Sequence, residues 1–113
     1  MMNSSPLNRD IVNRITTLLI RYVAGFQNNY QEELRRILPP SLADLGVAVF
    51  ENIAGTVVSR TRSDSGSIEY VCRICERKFY SRKGLYLHMR RIHFEDLSDL
   101  YMSELRRLLE EYY

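Results

Sequence analysis

Tryptophan is absent, and of 113 residues only two are cysteine, two histidine, three proline and five glycine. Two cysteines three positions apart cannot build the disulfide framework of a small secreted domain, and they point to a reducing compartment. No glycine-rich phosphate loop occurs, and neither Gly-x-Ser-x-Gly nor His-Glu-x-x-His is present. No apolar run reaches the roughly 18 residues that a membrane-spanning helix needs. The longest candidate, residues 15–26, is interrupted by Thr16, Thr17 and Arg21. Met1-Met2-Asn3 lacks the basic start of a secretory signal. An intracellular chain that is not secreted is the expectation. A hydrophobic fraction of 45% with 27% charged residues argues against wholesale disorder. The length allows one ordinary domain, or one small domain with a mini-domain attached.

The formal charge of +2 conceals an uneven distribution. Residues 1–69 balance to zero, with seven basic and seven acidic side chains. Residues 70–93 carry Arg73, Arg77, Lys78, Arg82, Lys83, Arg90 and Arg91 against Glu76 alone, a net +6. Residues 94–113 set Arg106 and Arg107 against Glu95, Asp96, Asp99, Glu104, Glu110 and Glu111, a net −4. A basic block beside an acidic tail is an asymmetry with consequences for binding partners.

The apolar pattern divides the chain into helices around a short β segment. Ser5-Pro6 has the chemistry of a helix start. Leu7, Ile11, Ile15, Leu18, Leu19, Tyr22, Phe26, Tyr30, Leu34, Ile37 and Leu38 follow at helical spacing. Gly25 and Gln27-Asn28-Asn29 are places for a kink or split, and Pro39-Pro40 ends the segment. Ser41 is expected to cap a second helix, with Asp44 completing a capping box and Gly55 as the stop. Its apolar face is Leu42, Leu45, Val49, Phe50 and Ile53. The two helices would make a helical hairpin over residues 1–55, with more apolar surface than a lone hairpin hides, which suggests a homodimer or packing on the C-terminal helix. Residues 56–62 alternate and are rich in β-branched side chains, so they read as a strand. Residues 63–67 read as a turn, and 68–72 as a returning strand. Asp96 or Ser98 would cap a last amphipathic helix bearing Leu97, Leu100, Tyr101, Leu105, Leu108, Leu109 and Tyr112.

All the cysteine and histidine lies between residues 72 and 93. Cys72 and Cys75 enclose two residues, His88 follows Cys75 after twelve, and His93 follows His88 after four. Two thiolates and two imidazoles can close a tetrahedral shell around zinc. A Cys-x-x-Cys turn aims both sulfurs at one ion, and histidines about one helical turn apart share a face. Tyr70 stands two before the first cysteine, Phe79 four after the second, and Leu85 three before His88. This pattern resembles the classical two-cysteine, two-histidine zinc finger over 24 of 113 residues.

The resemblance implies one structural zinc ion per chain on Cys72, Cys75, His88 and His93, with Tyr70, Phe79 and Leu85 beneath it. The fold class is then mainly α with a small β-hairpin: an N-terminal helical hairpin (1–55), a strand and turn (56–69), a ββα zinc finger (70–93) and an acidic amphipathic helix (94–113). In that family the finger helix enters the DNA major groove. The base-reading positions fall on Ser81, Lys83, Gly84 and Leu87, of which only Lys83 is a strong donor. Arg77, Lys78, Tyr80, Arg82, Arg90 and Arg91 are phosphate candidates, with Arg73 a weaker one. The first histidine, His88, would offer its second nitrogen to a phosphate. A lone finger in a chain with fourteen arginines, two lysines and eight tyrosines is similar to small proteins of archaea and their viruses.

Three readings follow. One is a DNA-binding transcriptional regulator with phosphate-dominated contacts. The second is a protein-interaction module in which the finger is a scaffold. The third is RNA binding, with Tyr80 and Tyr86 as stacking surfaces. No further histidine or cysteine exists to act as base or nucleophile, so no enzyme activity and no small-molecule substrate are expected. The acidic helix could pack on the finger, bind a partner, or screen the basic face.

Overall fold

The structure, a computed structural model, describes residues 7–112. It is mainly α-helical with a small antiparallel sheet. The elements are α1 (Arg9–Val23), α2 (Tyr30–Ile37), a 3-10 turn (Pro40–Leu42), α3 (Ala43–Val57), β1 (Val58–Arg62), β2 (Ile68–Cys72), β3 (Lys78–Phe79), α4 (Arg82–Ile92) and α5 (Phe94–Tyr112).

Helix α1 starts at an Asn8 cap, whose Oδ1 accepts from the Ile11 amide at 2.9 Å. The expected start at Ser5-Pro6 lies outside the described residues. The long apolar stripe splits at Gly25, where φ is +87°. There the Gly25 amide bonds Tyr22 O at 3.0 Å and the Phe26 amide reaches back to Arg21 O at 2.8 Å. That pair is a Schellman closure, which needs a residue tolerant of the left-handed region.

Two expected boundaries shift. The Ser41 cap and Asp44 box do not form: α3 has no side-chain cap, and Asp44 pairs with Arg35 at 2.9 Å. Gly55 does not stop α3, which continues to Val57, so the strand begins at Val58 and not at Thr56. One glycine costs a helix only about 1 kcal/mol. Burial of Ile53 and Val57 on either side of Gly55 outweighs it.

The largest correction concerns α5. It begins at Phe94, directly after α4, and neither Asp96 nor Ser98 is its cap. Asp96 Oδ2 faces His93 Nδ1 at 2.8 Å, and the Ser98 hydroxyl meets Thr16 Oγ1 of α1 at 2.7 Å. Leu97, Tyr101 and Leu105 are fully buried, and α5 packs on α1 and α3. Leu100 of the expected face is exposed, and the Tyr112 side chain lies outside what is described. The Tyr101 hydroxyl donates to Gly46 O at 2.8 Å, and burial raises its pKa. Ile15 and Leu18, part of the surface that suggested a dimer, are buried within the single chain, whereas Phe26 stays exposed. Near the C-terminal end of α1, Tyr22, Tyr30 and Phe50 form an aromatic cluster with centroids 4.4–5.9 Å apart.

The sheet has three strands in the order β1-β2-β3, so two hairpins share β2. The register pairs Val58 with Cys72 and Tyr70 with Phe79. The buried side chains form one continuous cluster, in which Tyr70, Cys72, Leu85 and Met89 join the bundle residues.

Two glycines of α3 should respond oppositely to alanine. A Cβ on Gly46 would lie 2.4 Å from Leu38 Cδ1 and 2.9 Å from the Tyr101 hydroxyl, in the buried seam between α3 and α5. Overpacking of that kind costs about 1–3 kcal/mol, more than the helix-propensity gain. At Gly55 the Cβ would meet nothing within 4 Å, so only the gain of about 0.5–1 kcal/mol remains. Urea denaturation should therefore show Gly46→Ala destabilised and Gly55→Ala stabilised. Removing residues 97–113 should unfold or aggregate the chain, read by circular dichroism and light scattering.

Candidate metal centre and cationic face

Cys72 is the last residue of β2, and Cys75 lies on the turn that leads to β3. The turn is closed by Cys72 N to Arg77 O at 2.9 Å and by Glu76 N to Cys72 O at 2.7 Å. Glu76 takes φ +65° there, the only non-glycine in the left-handed region among the described residues. The Arg73 amide donates to Val57 O at 2.8 Å, which fixes the turn against the end of α3. On the other side Ser81 caps α4, its Oγ accepting from the Gly84 amide at 3.0 Å. Helix α4 carries His88 on its inner face, and its C-cap residue is His93.

These elements bring Cys72, Cys75, His88 and His93 together. Their ligand atoms all lie within 4.8 Å of one another. Donors held about 2.0–2.3 Å from one ion at tetrahedral angles stand about 3.3–3.8 Å apart, so closing the shell needs donor shifts of about 1 Å or less. Cys75 Sγ lies 3.3 Å from His88 Nε2, and the two imidazole rings meet edge-on at 4.8 Å. Phe79 covers His88 at 4.6 Å, and Met89 Sδ lies 3.8 Å from Cys72 Sγ.

The fit to a metal is tested by one atom. His93 Nε2 is the only buried side-chain nitrogen or oxygen without a hydrogen-bond partner among the described residues. Its other nitrogen, Nδ1, is engaged by Asp96. A proton on Nδ1 leaves a lone pair on Nε2 aimed into the cluster, the tautomer a ligating histidine needs. A buried orphan nitrogen is costly by itself, and coordination removes that cost.

The titration of the four groups follows the same geometry. Burial raises the Cys72 thiol. The neighbouring His93 lowers the Cys75 thiol. Burial lowers His88, helped by the charges of His93 and Arg77. Burial alone would lower His93 too, but its contacts with Asp96 and Cys75 outweigh that and raise it.

Asp96 escaped the sequence reading, where it was a helix cap. Its signal was the three-residue step from His93, which places a carboxylate one turn along α5.

The remaining expected site residues separate into groups. Lys83, Leu87, Arg90 and Arg91 share one face of α4 by spacing; the three cations are exposed and Leu87 is half-buried. Arg90 Nη1 donates to the Tyr86 hydroxyl at 3.4 Å, and Arg77 lies over Phe79 at 5.8 Å. Lys78 and Arg73 are loosely paired with Glu69 at 3.9 Å and Glu76 at 3.5 Å. Tyr80 is 71% exposed. The Ser81 hydroxyl is occupied as a cap, which limits it as a base contact. Leu87 lines a shallow apolar pocket with Phe26, Tyr86, Lys83 and Arg21. Arg82 points elsewhere, across Gly25. Among the described residues no helix is long and apolar enough to cross a membrane.

Comparison with protein-family models, with curated proteins and with solved structures gives no match.

Asp96→Ala should weaken metal binding about 10–100-fold, because the imidazole loses the carboxylate that orients it. Competition titration with a chromophoric chelator measures this. Affinity should also fall as pH falls, since protons compete for thiolates and imidazoles. In the metal-free chain His93 should protonate at a higher pH than His88, read from their ring proton shifts by NMR. The reverse order would contradict the assigned Asp96 contact.

Proposed function

We propose that this chain is a zinc-dependent nucleic-acid-binding protein of the classical finger type, most simply a DNA-binding transcriptional regulator with phosphate-dominated contacts. The observation that carries this reading is a four-donor cluster beside a helix face whose cations lack acidic partners. Two sulfurs and two imidazoles suit zinc among the common ions. Four protein donors leave no open position, so the ion is structural and supplies folding energy on the order of 10 kcal/mol.

Lys83, Arg90 and Arg91 are exposed along α4 and have no ion-pair partner among the described residues. Long cations on one helix face neutralise phosphates and release counterions, which makes affinity salt-dependent. Base readout is the weaker part. Gly84 has no side chain, Ser81 is engaged as a cap, and Leu87 offers only apolar contact. A single finger covers about three base pairs, so discrimination comes from elsewhere: a second copy, the helical bundle or DNA shape.

One observation favours the scaffold reading. The apolar pocket at Leu87, Phe26 and Tyr86 adjoins the same helix face and would suit a protein partner. Exposed Tyr80 keeps RNA as a further target through stacking.

A salt-titrated gel shift of the zinc-loaded full chain on random duplex DNA separates these readings. Arg90→Ala or Arg91→Ala should weaken binding to all sequences alike and reduce the salt slope by about one unit per lost contact. Lys83→Ala should change sequence preference more than total affinity. Absence of any shift on DNA or RNA at low salt would sink the reading and leave the scaffold role.

A further inference from the structure

A cleft of about 570 Å³ opens where the C-terminal end of α1, the β1–β2 hairpin and the start of α4 meet. Arg60 and Arg82 line it together with Tyr22, Tyr70 and Asn28, and no aspartate or glutamate does. The two cations are held differently. Arg60 Nη2 donates to Val23 O at 3.1 Å, and its guanidinium sits 5.8 Å over the Tyr70 ring. Arg60 therefore braces the hairpin against the negative end of α1. Arg82 makes no such brace. It has no hydrogen bond, ion pair or ring partner among the described residues. Its guanidinium lies across the α1–α2 turn, where a Cβ on Gly25 would come within 3.3 Å of Nε and 3.8 Å of Cζ. The glycine leaves room for the arginine.

Two guanidiniums in one concave cleft without a carboxylate concentrate positive potential there. A guanidinium has five N–H donors in a planar fork that matches phosphate oxygens. Arg82 has all five available, and Arg60 keeps those that Val23 does not take. Two positive charges fit a doubly charged phosphoryl group better than a single carboxylate. The volume is in the range of ordinary small-ligand sites, about 300–1,000 Å³. The tyrosine rings and Asn28 give a base or sugar something to stack on and bond to.

We propose that this cleft is a phosphoryl-binding site, with Arg82 as its principal contact and Arg60 as the second. The phosphoryl group comes either from a free nucleotide or from the backbone of a nucleic acid bound along α4. The site is separate from the Lys83, Arg90 and Arg91 face.

The test is calorimetric titration of the metal-loaded full chain at low salt, with inorganic pyrophosphate first and ADP second. One saturable site per chain is expected. Arg82→Gln should weaken it at least about tenfold, as loss of a charge-assisted fork does. Arg106→Gln, exposed on α5 and outside both cationic sites, should change it less than about twofold. Because Arg82 has no internal partner, the thermal melting of Arg82→Gln should match the parent, which shows that the loss is not one of folding. ADP binding that Arg82→Gln abolishes, with duplex DNA affinity untouched, assigns the site to a free nucleotide. Pyrophosphate competing with duplex DNA, and a salt slope lower by about one unit in Arg82→Gln, assigns it to the nucleic-acid backbone. No saturable pyrophosphate binding overturns the proposal, as does equal weakening by Arg82→Gln and Arg106→Gln. A chain that binds pyrophosphate but neither DNA nor RNA keeps this site and loses the nucleic-acid reading. One that shifts DNA but ignores pyrophosphate does the opposite.

Discussion

His93 is the point on which both halves of the molecule turn. Its Nε2 faces the cysteines, its Nδ1 is held by Asp96 of α5, and its carbonyl accepts the Leu97 amide at 2.9 Å. It also ends α4, its own amide donating to Met89 O at 3.1 Å. One residue therefore closes the four-donor cluster and sets the angle at which α5 departs. That angle delivers Leu97, Tyr101 and Leu105 to the seam between α1 and α3. Moving the imidazole would move the helix that completes the core.

The coupling explains why the buried cluster is continuous. A ββα unit of this size has little apolar volume of its own, and metal ordinarily supplies what its core cannot. Here Tyr70, Leu85 and Met89 reach the bundle interior, so burial in the shared core supports the elements that carry the four donors. Charge is arranged to match. Four acids of α5 have partners away from α4's cations: Glu95 with Arg9 of α1 at 3.0 Å, Asp96 with His93, and Glu104 and Glu111 with Arg107 at 3.1 and 3.7 Å. None pairs with the cations of α4 among the described residues, so the tail does not screen that face through ion pairs.

Spacing made the cluster and the helix types legible. Cys72, Cys75, His88 and His93 announce themselves because ligand geometry tolerates few intervals. The split at Gly25 was legible for a similar reason, since a left-handed turn selects glycine. Boundaries set by tertiary contact were not. Asp96 and Ser98 have the chemistry of helix caps, yet a histidine and a threonine from outside the helix claim them. Gly55 has the chemistry of a stop, yet buried neighbours carry α3 past it. The apolar stripe of α1 left a second copy and the C-terminal helix both open as its cover, because α5 begins 71 residues after α1 ends and shows only as an amphipathic tail.

Arg82 shows how far a family pattern reaches. The finger pattern gives it a place at the start of the helix and, with that, the expectation of a phosphate contact. The bundle changes its surroundings. Gly25 draws the side chain over the α1–α2 turn and away from Lys83, Arg90 and Arg91. A free finger has no wall at that position, so its first helical arginine can only face solvent or nucleic acid. Attached to a bundle, the same residue becomes one side of a cleft opposite Arg60. The pattern settles which four donors come together, and the attached helices settle what the cations around them can reach.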